Sequence, residues 1–545
     1  MTRIVTKEIS GFAAWPQELV YDAPQGTVIG FTMPYATGKP IHQLYGTKSR
    51  LSEFPKATWQ FLAHTATNLA RAFATLHAHG IVLGDVNFGN ALVSDSGMVS
   101  LIDCDSFQIQ ASGHTYVCEV GVSEYTPPEI QSMSFRSVVR TPNHDAFGLA
   151  VLIFQLLFLG RHPFAGVYLG SGDMSLERAI QESRFAYGKN NQRHQYQPPP
   201  ATLAFEDIPS RIQELFMLSF ESSKRPQAKD WVTVLSSFCQ QLQPCNLNQA
   251  HLFYNQSRHC PWCSIETNTS MRLFPFWLAQ TASTSGFKID EFWKQVLLKP
   301  PLFALQYRKY FPDIAPTAET INLGQYYRQG WRKVSTLLGL NQERNLKRGE
   351  VKVTITTLKS QLERIEQTDD GTAQEYVQKT VQSLEALKAR YKSTITDRDQ
   401  QLSKLFQNRE RLQRAKYLDQ FKISNATIHG IGASRKATLQ SFGIETATDI
   451  SRATIRRIYG FGDSLTASLL VWQQQVSKGF VFNPNLGVDP KEKMAIESLA
   501  KMQMGQTEQE IQQRYETLIT FVTKTNITRS EQQSEIYRVL QNIAQ

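Results

Sequence analysis

Apolar and polar positions alternate differently along successive stretches of this chain. Residues 1–240 mix short apolar strands with amphipathic helices, and Gly80–Leu83 and Val99–Ile102 read as strands. Gly148–Gly160, GLAVLIFQLLFLG, is the longest apolar run. It reads as a buried segment, because a bilayer span needs about 18 residues or more. Residues 341–420 are rich in Gln, Lys, Arg, Glu and Leu, and Tyr391, Ile395, Leu402, Leu405 and Leu412 follow a 3–4 rhythm with Arg398 and Arg409 in the skipped positions. Leu358, Leu362 and Ile365 form a similar face upstream, and Asp369-Asp370-Gly371 breaks the run between them. The simplest expectation for 341–420 is a helical hairpin closing as an antiparallel coiled coil, against the alternative of a long solvated helix without a partner. Residues 421–478 carry two glycine hairpins between helical patterns, 479–545 reads as a helical tail, and 267–340, with Trp277, Trp293 and Trp331, as a helical connector.

Composition narrows this picture. A chain of 545 residues suggests three to four domains at about 150 residues each. With 41% hydrophobic and 19% charged residues it is globular, which excludes wholesale disorder. A formal net charge of +10 permits a nucleic-acid partner without demanding one. Six cysteines are too few for a secreted disulfide scaffold, and four of them lie between Cys239 and Cys263, which points to a local role. The opening MTRIVTKEIS has no apolar core or cleavage site. The expectation is a cytoplasmic protein with no membrane partner.

Candidate chemistry concentrates in LHAHGIVLGDVNFGNALVSDSGMVSLIDCDSF, residues 76–107. Asn90 follows Asp85 by five residues, and Asp103 follows Asn90 by thirteen, behind a second strand pattern. Phosphoryl transfer needs a carboxylate to orient and deprotonate the attacking hydroxyl. It also needs a carboxylate and an amide oxygen to hold magnesium against the phosphates. Singly, each of these residues reads better as a turn residue or strand-end cap.

The ordered set resembles the protein kinase family over about residues 15–240. The resemblance implies that Asp85 is the catalytic-loop aspartate, Asn90 the magnesium-binding asparagine and Asp103 the DFG-type aspartate. It further implies that Thr126-Pro127-Pro128-Glu129 ends the activation segment, that Asp145 braces the catalytic loop and that Arg225 pairs with Glu129. In VIGFTMPYATGKPIHQLY, Met33 matches the gatekeeper, and backbone groups of Pro34, Tyr35 and Ala36 would meet adenine. ATP and Mg2+ are the implied cofactors and a protein Ser or Thr hydroxyl the implied acceptor.

There are departures. The family's His-Arg-Asp is Leu83-Gly84-Asp85, its usual lysine two residues on is Asn87, and Asp103-Cys104-Asp105 lacks the DFG glycine. Loss of the arginine argues against switching by an activation-loop phosphate. No G-x-G-x-x-G precedes Pro34, and Lys7 is the only lysine there. The chain therefore reads as a kinase that starts late in its N-terminal lobe. Met1 is then either an internal methionine of a longer protein, the preferred reading, or the start of a true pseudokinase scaffold. A small-molecule kinase of the aminoglycoside phosphotransferase type is the further alternative.

Cys245, His251, Cys260 and Cys263 offer four metal ligands, the last two on a C-x2-C turn. A closed structural Zn2+ site is expected over 241–266, with Cys239 or His259 as substitute ligands and a thiol pair with redox chemistry or no role as the alternative.

Ile428-His429-Gly430-Ile431-Gly432 repeats thirty residues later as Ile458-Tyr459-Gly460-Phe461-Gly462. Glycine permits the positive φ of such turns and exposes backbone N–H groups at a helix start. The pair resembles the tandem helix-hairpin-helix family, which implies contact with nucleic-acid backbones, Arg435 and Lys436 flanking the first turn. Asp463 would repel phosphate at the second, and hairpins that only pack helices or bind protein are the competing reading. The whole arrangement resembles bacterial helix-hairpin-helix kinases encoded beside a von Willebrand A-type protein and a metal-dependent phosphatase, which implies those two as partners in stress or defence signalling. The expected fold class is multidomain α+β: a bilobal kinase-like domain with an incomplete N-lobe (1–240), zinc knuckle, connector, coiled-coil hairpin, tandem hairpins and tail.

Overall fold

The computed structural model describes residues 6–24, 26–269, 271–275, 287–302 and 371–544, with short pieces between 304 and 364. Trp277, Trp331, Leu362 and Ile365 lie outside the described residues. The chain divides into two compact units, one of residues 1–279 with 404–495 and the other of 280–403 with 496–545.

In the first unit, strands β1 (Glu18–Tyr21) and β2 (Val28–Thr32) form a two-stranded antiparallel ribbon. A separate three-stranded sheet is ordered β3 (Lys39–Pro40), β4 (Ala91–Val93), β5 (Val99–Leu101). Helices α1 (Ile41–Tyr45), α2 (Thr47–Glu53) and α3 (Trp59–Ala78) follow β3. The α3 sequence buries Trp59, Leu62, Ala63, Ala66, Leu69, Ala70, Phe73 and Leu76, the i, i+3, i+4 stripe of an amphipathic helix. Thr58 caps its start, and Gly80 at φ +70° follows its end.

The apolar run Gly148–Gly160 fills the interior of α4 (Pro142–Leu157), which is buried from Asp145 to Leu157. Proline in its first turn and the Thr141/His144 capping box start it. Leu159 at φ +52° and Gly160 at φ +85° stop it. A helix apolar all round must sit in a core. Its Phe154 and Phe158 stack at 4.0 Å, and α5 (Ser210–Glu221) and α6 (Ala228–Gln240) bury Phe216, Phe220 and Trp231 in the same cluster. Gly80–Leu83 does not form the expected strand. Val82 alone bridges Gln108, and the next two amides are taken by a side chain described below.

Strands β6 (Leu242–Pro244) and β7 (Leu252–Tyr254) and helix α7 (Pro261–Thr269) make the cysteine segment. Trp262 is fully buried against Trp59, with ring centroids 4.9 Å apart. The hairpin region 421–478 has its own core, in which Ile431 and Phe461, the apolar residues of the two glycine turns, meet Leu439, Ile455 and Leu469.

In the second unit, Leu384, Leu387 and Tyr391 of α9 (Thr372–Gln407) pack with Ile289, Trp293 and Val296 of α8 (Ile289–Leu297) and with Ile511, Leu518 and Val522 of a long C-terminal helix (Pro490–Ala544). The apolar face expected to close a hairpin within 341–420 is thus covered, at Tyr391, by segments before and after it. The apolar seam is compatible with more than one helical partner, so periodicity alone could not choose.

Candidate active site

The segment that carries Asp85 hangs from α4. Asp145, 2% exposed, accepts hydrogen bonds from the Leu83 and Gly84 amides at 2.8 and 2.9 Å and contacts His77 Nε2 at 2.9 Å. Gly84 has φ +75°, and a Cβ there would lie 2.5 Å from Cys118 Cβ and 2.9 Å from Arg140 Nη1. The space beside the loop is therefore taken by Arg140, which donates to the Val120 carbonyl at 2.6 Å and lies over Phe135 at 4.2 Å. Neither Arg140 nor His77 stood out in the sequence, since each gains its place only through long-range packing.

Asp85 and Asn90 come together. Asn90 Nδ2 donates to the Asp85 carbonyl at 3.1 Å and to Asp85 Oδ2 at 3.3 Å. That leaves the Asn90 amide oxygen free of this network. Asp85 Oδ1 is buried without a hydrogen-bond partner. Asn87 caps the short helix Phe88–Asn90 by accepting from Gly89 N at 2.7 Å. The Ile102 amide donates to the Asn90 carbonyl at 3.0 Å, which ties the loop to the chain entering Asp103. Asp103 is exposed, with left-handed backbone at φ 59°. Its carboxyl is raised above the ordinary range by partial burial and by the charges of Asp105 and Asp85. A carboxyl raised by its acidic neighbours, beside an orphaned carboxylate oxygen and a free amide oxygen, is a donor set that a hard cation would neutralise. The residues present fit magnesium.

Arg225 clamps Glu129 in a fork, Nη1 to Oε1 at 2.6 Å and Nη2 to Oε2 at 2.9 Å. Burial pushes the Glu129 carboxyl up, but Arg225, a backbone amide and His144 together hold it below the ordinary range. Met33 and Tyr35 are 49% and 93% exposed, and Pro34 and Ala36 half-buried. Every residue of β1, and all of β2 but half-buried Gly30, is exposed.

The four expected metal ligands converge, with their ligand atoms all within 4.8 Å of one another. Cys245 and Cys263 sulfurs are 3.6 Å apart, and His251 Nδ1 lies 3.4 Å from Cys263 and 3.7 Å from Cys260. Ligands about 2.1–2.3 Å from one tetrahedral ion are separated by about 3.5–3.8 Å, so this set fits zinc. Glu266 Oε1 lies 3.3 Å from His251 Nε2, where a carboxylate orients a ligating imidazole. Cys239 and His259 stand outside the group.

Both glycine turns have the expected backbone, with Gly430 at φ +76° and Gly460 at φ +84°, and Gly432 and Gly462 precede α11 (Ala433–Ser441) and α12 (Asp463–Ser477); α10 (Arg409–Leu418) leads into the region. Their surroundings differ. Arg435 donates to the Gly430 carbonyl at 2.6 Å and Lys436 to the Ser424 carbonyl at 3.0 Å. At the second turn Tyr459 packs on Tyr168 at 5.3 Å, and a Gly460 Cβ would lie 3.2 Å from Asp173 Oδ1. Asp463 pairs with Arg456 at 2.6 Å.

The hairpin region is joined to α2. Glu445 accepts from the Thr47 and Lys48 amides, at 2.8 and 3.1 Å, at the helix start. Lys48 meets Asp419 at 2.6 Å and Asp449 at 2.7 Å. Ser441 Oγ accepts from the His162 amide at 2.8 Å, and its carbonyl from Arg161.

The structure brings Asp85 and Asn90 together on a loop held by Asp145, ties that loop to the chain entering Asp103, and joins Glu129 to Arg225. Residues 19–234 match the protein kinase domain family. Over 550 aligned residues the chain is 35% identical to protein kinase YegI of Escherichia coli, covering 92% of this chain and 83% of that one. The chain belongs to the protein kinase family. It is also 26% identical over 202 residues to the DNA damage-responsive serine/threonine-protein kinase RqkA of Deinococcus radiodurans, covering 36% of this chain and 26% of RqkA. Serine/threonine-protein kinase PknA of Mycobacterium tuberculosis is 25% identical over 204 residues, 36% of this chain and 38% of PknA. Among the described residues no helix is long and apolar enough to cross a membrane.

Proposed function

We propose that this protein is a Ser/Thr-type protein kinase that transfers the ATP γ-phosphate to a protein hydroxyl. The observation that carries this reading is the Asp85–Asn90 contact on a loop held by Asp145, with Asp103 close enough to sense the Asp85 charge. Asp85 accepts the proton of the attacking hydroxyl, and Asn90 fixes that carboxylate by donating to it. Asp103 and the Asn90 amide oxygen would hold Mg2+, which supplies charge neutralisation at the phosphates. Pro34–Ala36 would offer backbone groups to adenine. In the full chain with Mg-ATP and a generic protein acceptor, Asp85→Ala and Asp103→Ala should each abolish phosphate incorporation. Activity persisting in both would reject the assignment.

Cys245, His251, Cys260 and Cys263 would hold a structural Zn2+. We assign the hairpin region a docking role rather than a nucleic-acid one. Arg435 and Lys436 are tied to backbone carbonyls, and Asp173 and Asp463 put two carboxylates at the second turn.

A further inference from the structure

The junction of the hairpin region with the kinase-like domain encloses a cavity of about 750 Å³. One wall carries Tyr45 of α1, Phe88 of the catalytic-loop helix and Tyr125, at the end of the segment leading to Glu129. Phe88 is three residues from Asp85 and contacts His42 at 5.0 Å and Tyr125 at 6.3 Å. The other wall is the hairpin region, through Ile423, Ala433 and Ala437. The cavity thus adjoins the short helix Phe88–Asn90 that follows Asp85 in the chain.

Its charges balance almost completely. Glu53 pairs with Lys39 at 3.4 Å, Lys48 with Asp419 and Asp449, and Lys416 with Asp489 at 2.8 Å. Glu445 is satisfied by two amides and Lys436 by a carbonyl. Two charged lining groups remain, and His42, whose pKa burial lowers to about 4, also has no hydrogen-bond partner at Nδ1. Glu124 is 3% exposed, its Oε2 accepts from Ser123 at 3.2 Å, and its Oε1 has no partner. Lys422 is half-buried and has no ion pair among the described residues. A carboxylate removed from water without a counter-charge is costly, and a cation delivered to it recovers that cost. Aromatic rings beside it suit the aliphatic stem and the head of a long basic side chain.

We propose that this cavity receives a Lys or Arg side chain of the protein substrate, flanking the phosphorylated hydroxyl. Glu124 is its counter-charge, and Lys422 meets a peptide carbonyl from the opposite wall. The hairpin region is then half of a substrate-selecting site. This inference rests on the kinase reading.

The test is a positional-scanning library of Ser- and Thr-centred peptides, phosphorylated by the full chain with labelled Mg-ATP. The wild type should favour Lys or Arg over norleucine by about tenfold at one or more flanking positions, the ratio that about 1.4 kcal/mol produces. Glu124→Gln, isosteric and still able to meet Ser123, should reduce that ratio to about one, through KM rather than kcat. Ala433→Trp, at an exposed helix start on the hairpin wall, should reduce it with Glu124 intact. A wild-type library without basic preference, or a preference that survives both variants, would overturn the inference while leaving the kinase reading standing. No incorporation into any peptide or protein would overturn both.

Discussion

Two carboxylates do the same mechanical work in different places. Asp145 grips the Leu83 and Gly84 amides just before Asp85, and Glu445 grips the Thr47 and Lys48 amides at the start of α2. Asp145 sits on the central helix, 62 residues from Leu83, and meets His77 as well. Glu445 lies 398 residues from Thr47 and beside Asp449, and burial followed by that charge raises its carboxyl despite the two amides. Asp145 braces one loop inside the kinase-like domain, whereas Glu445 is a joint between two parts of the chain. The brace resists loss because its surroundings are one core. The joint is a helix cap reinforced by the Lys48 ion pairs and by Ser441, and loosening the cap should leave both sides folded.

This contrast predicts unequal costs. Asp145→Ala orphans two backbone amides, at about 1–3 kcal/mol each. It should lower the stability measured by urea unfolding by about 3 kcal/mol or more and cut phosphate transfer at least about a hundredfold. An effect no larger than that of Glu445→Gln would erase the distinction. Removing metal tests the neighbouring support. Glu266 ties His251 to the Leu273 amide at 2.6 Å, and the Leu273 carbonyl accepts from the buried Arg50 of α2 at 2.7 Å. A strong chelator, or Cys263→Ser, should therefore lower Tm by several degrees and speed amide exchange in 47–53, since structural zinc supplies folding free energy directly. Unchanged exchange there would uncouple the cysteine segment from α2.

Glu445→Gln should cost about 1 kcal/mol, the scale of a lost helix cap. It should accelerate exchange of the Thr47 and Lys48 amides while leaving Leu83 and Gly84 protected. Protection lost at both would show that brace and joint are one cooperative unit.

The smallest effect concerns pH. His162 is fully buried, its Nδ1 accepts from Phe164 N, its Nε2 faces the Glu124 carbonyl, and burial lowers its pKa from 6.5 to about 4. Between those values the unfolded chain binds a proton that the folded chain refuses, so stability should fall as pH drops from about 6.5 towards 4. His162→Gln should flatten Tm against pH across that window. An unchanged slope would assign the acid sensitivity elsewhere.

The spacing of Asp85, Asn90 and Asp103 was legible because a tight loop and the strand after it leave few ways to arrange three polar groups. The convergence of the four candidate ligands was legible because a C-x2-C turn points both sulfurs one way. Gly80–Leu83 misled as a strand: its apolar pattern is real, but Asp145 takes the amides of Leu83 and Gly84 that a ladder would need. The 391–412 seam showed an apolar face but not its partner.

Local rules were enough for the sequence to specify the helices, the glycine turns, the buried run of α4 and the candidate ligands, since each depends on residues a few positions apart. Only the tertiary structure placed Arg140 beside Gly84, turned the second hairpin onto Tyr168 and Asp173, and enclosed Glu124 without a counter-charge. Those facts depend on which surfaces meet across hundreds of residues, and burial and charge pairing at such a meeting leave no period in the sequence to read.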